Sequence, residues 1–317
     1  MSPVMFLHAS RIAGPTAGRS PRPAVFFTGI DMKRIILLCA SVLSMAPPML
    51  ANAQEQRVVA VGGALTEIVY ALGAQQRLVA VDTTSLYPPE AQKLPTVGYM
   101  RQLSGEGLLA MKPSVVLVTN EAGPPAVISQ IKGAGVKFET MNADHTFEEV
   151  RNKVRVVSGA LGMAAQGAKL DQSISQEWKS TQDFVAAFEK KSGKKPRVLF
   201  LLLHSASGGM MASGDGTAAD AMIRYAGGVN AVSGYKGYKI LADEALIAAA
   251  PDFVLLTQQG LDAIGGADKL WQRPGLALSP AAKNKRYAAP DALYLLGFGP
   301  RLPKAVREVA ERLQAGA

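Results

Sequence analysis

The sequence predicts an α/β protein of two similar lobes joined by one long helix, and three observations carry that expectation. Short apolar runs alternate with amphipathic segments through most of the chain, the pattern of strands layered with helices. From Ala164 to about Lys191 the alternation stops, and Leu170, Ile174, Trp178, Val185 and Phe188 recur at helical spacing through a polar, uninterrupted segment. The halves on either side share a repeat. Leu103-Ser-Gly-Glu106-Gly-Leu108, with Pro113, precedes the apolar run at Val115; Leu241-Ala-Asp-Glu244-Ala-Leu246, with Pro251, precedes the run at Phe253. Leucine, glutamate, leucine and proline all match at the single offset that carries Glu106 onto Glu244.

Residues 1–31 hold no sustained period and read as an upstream extension, with a working start at Met32. Lys33 and Arg34 then precede an apolar run, Ile35 to Leu50, that is too short to span a bilayer and is broken by Pro47 and Pro48. Ala51-Asn52-Ala53 supplies the small-x-small cleavage pattern, so residues 32–53 are expected to be a signal peptide and the mature chain an exported, periplasmic protein. The single cysteine, Cys39, falls inside the removed segment. Disulfides, cysteine-bound zinc, iron–sulfur clusters and thiol catalysis are thereby excluded from the mature chain. Removing residues 1–53 takes away five basic side chains and one acidic one, lowering the net charge from +9 to +5. A modestly basic protein suits an anionic small ligand, and without a clustered basic stripe no nucleic-acid partner is expected.

The N-terminal lobe is expected over 54–163. It contains a strand at Arg57–Val61, a helix at Leu65–Leu72 closed by Gly73, and a strand at Leu78–Val81. A polar, proline-rich loop follows from Asp82 to Pro95, then a short helix over Gly107–Met111, a strand at Val115–Thr119, a helix at Ala126–Ala134 and a strand at Phe138–Met141. Thr146 with Glu149 three residues later is a capping box for a helix to about Leu161, which gives His145 a capping context and not a ligand role. The connecting helix, 164–193, stops at Gly193 and Pro196. The C-terminal lobe, 194–317, restarts with a strand at Val198–Leu203, a glycine-rich loop from His204 to Gly216, and a helix at Thr217–Tyr225 closed by Gly227. A helix at Leu241–Ala249, a strand at Phe253–Thr257, a turn and short strand within 281–289, and a helix at Lys304–Leu313 complete it.

Ligands of α/β sheets bind beyond the carboxyl ends of the strands. Tyr87 follows the second strand of one lobe and His204 ends the first strand of the other, so both are expected to face a cleft between lobes. Catalysis is not expected. The mature chain has two histidines, no Gly-x-Ser-x-Gly elbow and no phosphate-binding Gly-x4-Gly-Lys-Ser/Thr loop. Gly214-Asp-Gly216-Thr-Ala-Ala219 meets a loose Gly-x-Gly-x-x-Ala pattern, but too far beyond its strand to make the tight phosphate turn.

Five strings occur in order: Asp82-Thr-Thr-Ser-Leu-Tyr87-Pro-Pro, Gly98-Tyr-Met-Arg101-Gln-Leu-Ser-Gly-Glu106-Gly, Gly216-Thr-Ala-Ala-Asp220-Ala, Gly237-Tyr-Lys239 and Leu296-Gly-Phe-Gly-Pro-Arg301. With them the mature chain resembles the solute-binding proteins that serve haem, cobalamin and siderophore importers, and specifically the haem-binding branch. The resemblance implies two Rossmann-like lobes on a helical backbone that opens and closes little. It implies that Tyr87 is the axial ligand of ferric haem b, the transported cargo. A phenolate is a hard anionic donor for a hard ferric ion, and Pro88 and Pro89 restrict the backbone that presents it. It further implies a cation from the other lobe near the phenolate, with Lys239 matching best and Lys236 in the preceding Gly-Tyr-Lys triplet next. Arg101 is expected to pair with a haem propionate. His204 is expected to bind a second, stacked haem or the sixth iron position. Glu106 and Glu244 are expected to dock onto the two subunits of an ABC importer permease dimer. The haem would arrive from an outer-membrane receptor, and the protein would work as a monomer. The alternative within the class is cobalamin or a ferric siderophore, held by aromatics or arginines without a tyrosine–iron bond.

Overall fold

The computed structural model describes residues 56–203, 205 and 209–315. The expected signal peptide, the extension before it and His204 lie outside the described residues. In the N-terminal lobe, β1 (Val58–Val61) pairs in parallel with β2 (Leu78–Val81) and, on its other side, with β5 (Val115–Thr119), which pairs with β6 (Lys137–Met141). The order β2-β1-β5-β6 places β1 and β5 at the centre. A two-stranded ribbon of β3 (Gly98–Tyr99) and β4 (Gln102–Leu103) stands apart from that sheet. In β1 the period of two is visible in the packing. Val58 and Ala60 enter the core layer shared by both lobes, while Val59 and Val61 enter a layer private to the N-terminal lobe.

The second sheet is built around β7 (Arg197–Leu202) and β11 (Phe253–Leu256), paired in parallel, with β12 (Tyr287–Ala288) beyond β11. On the other side of β7 lie antiparallel β8 (Met211–Ser213) and then β10 (Tyr238–Ile240), while β9 (Val229–Asn230) pairs with the start of β7. This sheet is therefore mixed where the main sheet of the first lobe is wholly parallel. The short strands β3, β4, β8, β9 and β10, each two or three residues long, were not expected from sequence. Runs of that length carry no measurable period.

The long helix runs from Ala164 to Ser192 and ends at Gly193 in the left-handed conformation, as its spacing predicts. Ile174 and Val185 of this helix are buried in the same core layer as Val58 of β1 and Phe200 of β7. A single apolar layer thus runs through both lobes and the connector. Three rings reinforce it: Phe147 of the first lobe stacks on Trp178 of the connector at 4.6 Å, and Trp178 meets Tyr225 of the second lobe edge-on at 4.8 Å. Tyr225 Oη also accepts a hydrogen bond from the Phe147 amide at 3.3 Å. Opening the lobes would expose this apolar surface, at roughly 25 cal/mol per Å², so the fold resists wide hinge motion.

After β12 the chain leaves its own lobe's strands and lays residues 292–301 against the first lobe. Arg301 forms a forked ion pair with Glu67 of the helix Gly63–Ala71, and the Phe298 carbonyl accepts from Lys153 at 3.3 Å. This return segment was not expected from sequence.

Candidate functional site

The site is organised by the loop after β2. Asp82, almost fully buried, accepts four hydrogen bonds: from the Gly62 amide at 2.9 Å and Ser85 Oγ at 3.0 Å on one oxygen, and from the Thr84 amide and hydroxyl at 3.1 and 2.8 Å on the other. Thr84 Oγ1 in turn accepts from the Gly63 amide at 3.0 Å, and Ser85 shares a hydrogen bond with Thr66 at 2.8 Å. The carboxylate thus locks a turn onto the start of the helix Gly63–Ala71. A Cβ at position 63 would lie 2.4 Å from the Thr84 carbonyl, so only glycine permits this approach. The loop then presents Tyr87, which remains 43% exposed.

Beside this loop lies a cavity of about 400 Å³, within the size range of small-molecule sites. Its walls come from the first lobe and the return segment, with Leu65, Leu86, Met100, Leu293, Leu296 and Phe298 supplying apolar surface. No described residue between 197 and 289 lines it. Thr119 lines the cavity, and its Oγ1 is buried without a hydrogen-bond partner among the described residues.

His145 also lines the cavity, a placement the capping motif alone did not disclose. The capping box is present as expected, with Thr146 Oγ1 accepting from the Glu149 amide at 3.1 Å. His145 precedes it with φ +54°, a left-handed conformation uncommon for a residue bearing a side chain. Its amide donates to Glu149 and its ring stands edge-on to Phe298 at 5.4 Å. Glu149 is also paired with Lys153, both side chains buried, so one carboxylate ties His145, Lys153 and the return segment together. The carboxyl-end rule that pointed to Tyr87 applies equally here, since His145 lies four residues beyond the end of β6.

The expected cations are placed differently. The cation against Tyr87 is Arg301, whose guanidinium carbon lies 3.7 Å from the ring centroid. Lys239 instead stands over Tyr235 at 5.1 Å, and Lys236 lies where its backbone bridges Asp215. The pleat explains this for Lys239. Tyr238 points to the side of β10 that packs on Phe200, so Lys239 points to the other. Arg101 is at the cleft but engaged with Glu121 at 2.6 Å, an ion pair close enough to influence Tyr238 of the opposite lobe. Tyr238 itself is raised above the ordinary phenol range, chiefly by burial.

Glu106 and Glu244 occupy the same place in their lobes. Each is the second residue of a short helix, Gly105–Ala110 and Asp243–Ala249, that leads into β5 or β11. Leu108 and Leu246, two residues on, are both fully buried, whereas both glutamates are exposed and make no ion pair among the described residues. The leucines explain the repeat as packing, and the glutamates are left over from that explanation.

The parallel sheet with a ligand-sized cavity beyond its strand ends, set on a single connecting helix, defines a helical-backbone solute-binding protein. The family model for periplasmic binding proteins matches residues 58–292, and the chain belongs to that family. Among solved structures it is similar to the periplasmic heme-binding protein BhuT in complex with two hemes, at 48% identity and a TM-score of 0.78, over 82% of this chain and 98% of that one. It is also similar to the periplasmic heme-binding protein RhuT from Roseiflexus sp. RS-1, in apo form, at 37% identity and a TM-score of 0.77 over 82% and 98%. The vitamin B12-binding protein of Pectobacterium atrosepticum is 23% identical over 83% of this chain and 90% of its own.

Proposed function

We propose that this protein captures ferric haem b in the cleft beside Tyr87 and delivers it, from the periplasm, to the permease dimer of an ABC importer. The observation that carries this is a half-exposed tyrosine with a guanidinium on its ring face, on a loop that a buried aspartate turn holds and whose Thr83, Thr84 and Leu86 line a largely apolar cavity. That combination suits an amphiphilic macrocycle around a hard ferric ion: apolar walls take the ring system, and the phenolate oxygen takes the metal. The similarity to two heme-binding structures supports the same choice. His145 adds an imidazole to the cavity wall, and Arg101 at the cleft mouth is the group placed to exchange Glu121 for a propionate. Haem supplied by an outer-membrane receptor, export through residues 32–53, and action as a monomer complete the proposal. Glu106 and Glu244, exposed at equivalent places and without an ion pair among the described residues, are assigned to docking on the two permease subunits.

The vitamin B12-binding relatives favour a second ligand within the same role. Titration with hemin and, separately, with cobalamin decides between them. Haem capture gives a saturable Soret band with hemin that is lost in Tyr87→Phe; saturable cobalamin binding indifferent to that substitution overturns it.

A further inference from the structure

Arg301 is the N-cap residue of the helix Leu302–Gln314, and its guanidinium lies between two tyrosine rings, 3.7 Å from the centroid of Tyr87 and 5.0 Å from that of Tyr294. Its Nε and Nη2 donate to the two carboxylate oxygens of Glu67 at 2.9 and 2.6 Å, while Nη1 has no partner among the described residues. Glu67 is 5% exposed, and burial pushes its carboxyl above the ordinary range despite the opposing pull of Arg301. For Arg301, burial works against the charge and the Glu67 carboxylate outweighs it. Burial and Glu308 push the phenol of Tyr294 up to about 12, so that second ring stays neutral.

A pair with a buried carboxylate and a partly exposed guanidinium is an uncertain source of stability. Desolvating two charges is commonly matched or exceeded in cost by their attraction, and apolar residues of similar size pack as well. What the pair does provide is orientation. A forked contact holds the guanidinium plane in one attitude, and that plane lies on the face of Tyr87. Cation over ring face is attractive, and more so when the ring carries a phenolate.

We propose that Glu67 and Arg301 are positioning residues for the iron-binding tyrosine: Arg301 fixes the ring of Tyr87 and sets how strongly its oxygen donates to iron, and Glu67 fixes Arg301. The proposal rests on the haem assignment above. It differs from the expectation that a lysine of the opposite lobe does this, because both members belong to the interface between the first lobe and the return segment. The cation therefore accompanies Tyr87 whether the lobes are open or closed.

The test uses the full mature protein with hemin, reading both affinity and the energy of the tyrosinate-to-iron charge-transfer band. A nearby cation lowers the energy of the phenolate electrons, so Arg301→Gln moves the band to longer wavelength and weakens ferric haem binding by roughly tenfold. Glu67→Gln keeps the cation but frees it, and places the band between wild type and Arg301→Gln. Arg301→Lys keeps the charge without the plane or the fork, and does not restore the wild-type band. Circular dichroism identifies any variant that fails to fold, in which case Glu67→Gln carries the decision. An unmoved band in folded Arg301→Gln and Glu67→Gln overturns the proposal and leaves the haem assignment standing, even if affinity falls. Absence of any tyrosinate band in the wild type, with Tyr87→Phe binding hemin normally, overturns both.

Discussion

The two lobes lead into their central strands with the same element yet face the cleft differently. In the first lobe's four-stranded sheet all strands run parallel, and the loops at their carboxyl ends converge as Gly62–Gly63, Asp82–Tyr87, Thr119 and His145. In the second, the antiparallel pair β8 and β10 flanks β7, and there the exposed Lys239 stands over the partly buried ring of Tyr235. The second lobe's chain reaches the cavity through its return segment, not through its sheet. Sequence duplication therefore reports a packing element common to both halves, with an exposed glutamate at the same place in each, not a duplicated cavity wall. The cavity is asymmetric, walled by one lobe and closed by the other's C-terminal segment.

That asymmetry can be broken directly. Tyr87→Ala is expected to lower ferric haem affinity by roughly a hundredfold, or ~2.7 kcal/mol, whereas Tyr235→Phe in the other lobe changes it by less than about threefold; parallel hemin titrations check the contrast, and equal losses would make the two walls equivalent. Next in size, Trp178→Ala removes the ring that joins both lobes to the connector. It is expected to cost about 2 kcal/mol of stability for a partly buried aromatic, read by denaturant unfolding. If the lobes were coupled only through the backbone, that variant would unfold like wild type.

The glutamates sharpen the other side of the comparison, where the lobes are alike. The Glu106→Ala/Glu244→Ala double variant is expected to bind haem within about twofold of wild type while haem-dependent uptake falls by about tenfold, each single variant losing part of it. Wild-type uptake in the double variant would return both residues to ordinary helix-terminal glutamates. The smallest effect concerns Glu67. Its folded-state value is raised, so the stability it contributes is full below the usual carboxylate range and is lost as pH rises through the raised value. The melting temperature of wild type relative to Glu67→Gln should accordingly decline as pH rises through that window. A relative melting temperature that climbs instead would mean that Arg301 outweighs burial.

Elements with a long period were legible from the chain alone. The connector Ala164–Ser192, the helix Phe147–Ala160 with its capping box, and the strands β1, β2, β5, β7 and β11 all lie where spacing placed them, within a few residues. So did the equivalence of Glu106 and Glu244, because a repeat is a property of order. The carboxyl-end rule singled out Tyr87 on the loop beyond β2, yet it was not applied to His145, whose neighbours offered a sufficient local explanation. Lys239 was assigned on its triplet, and the alternation along β10 sends it elsewhere.

Sequence by itself determined the layered α/β class, the long connector, the exposed tyrosine after β2 and the paired glutamates, since each follows from local period or chain order. The cation that meets the tyrosine was settled only by tertiary structure. Glu67 and Arg301 are 234 residues apart, and nothing in the spacing of either segment records the other. Their meeting depends on the return of residues 292–301 across the first lobe, which buried apolar contacts select over the whole chain and no single stretch encodes.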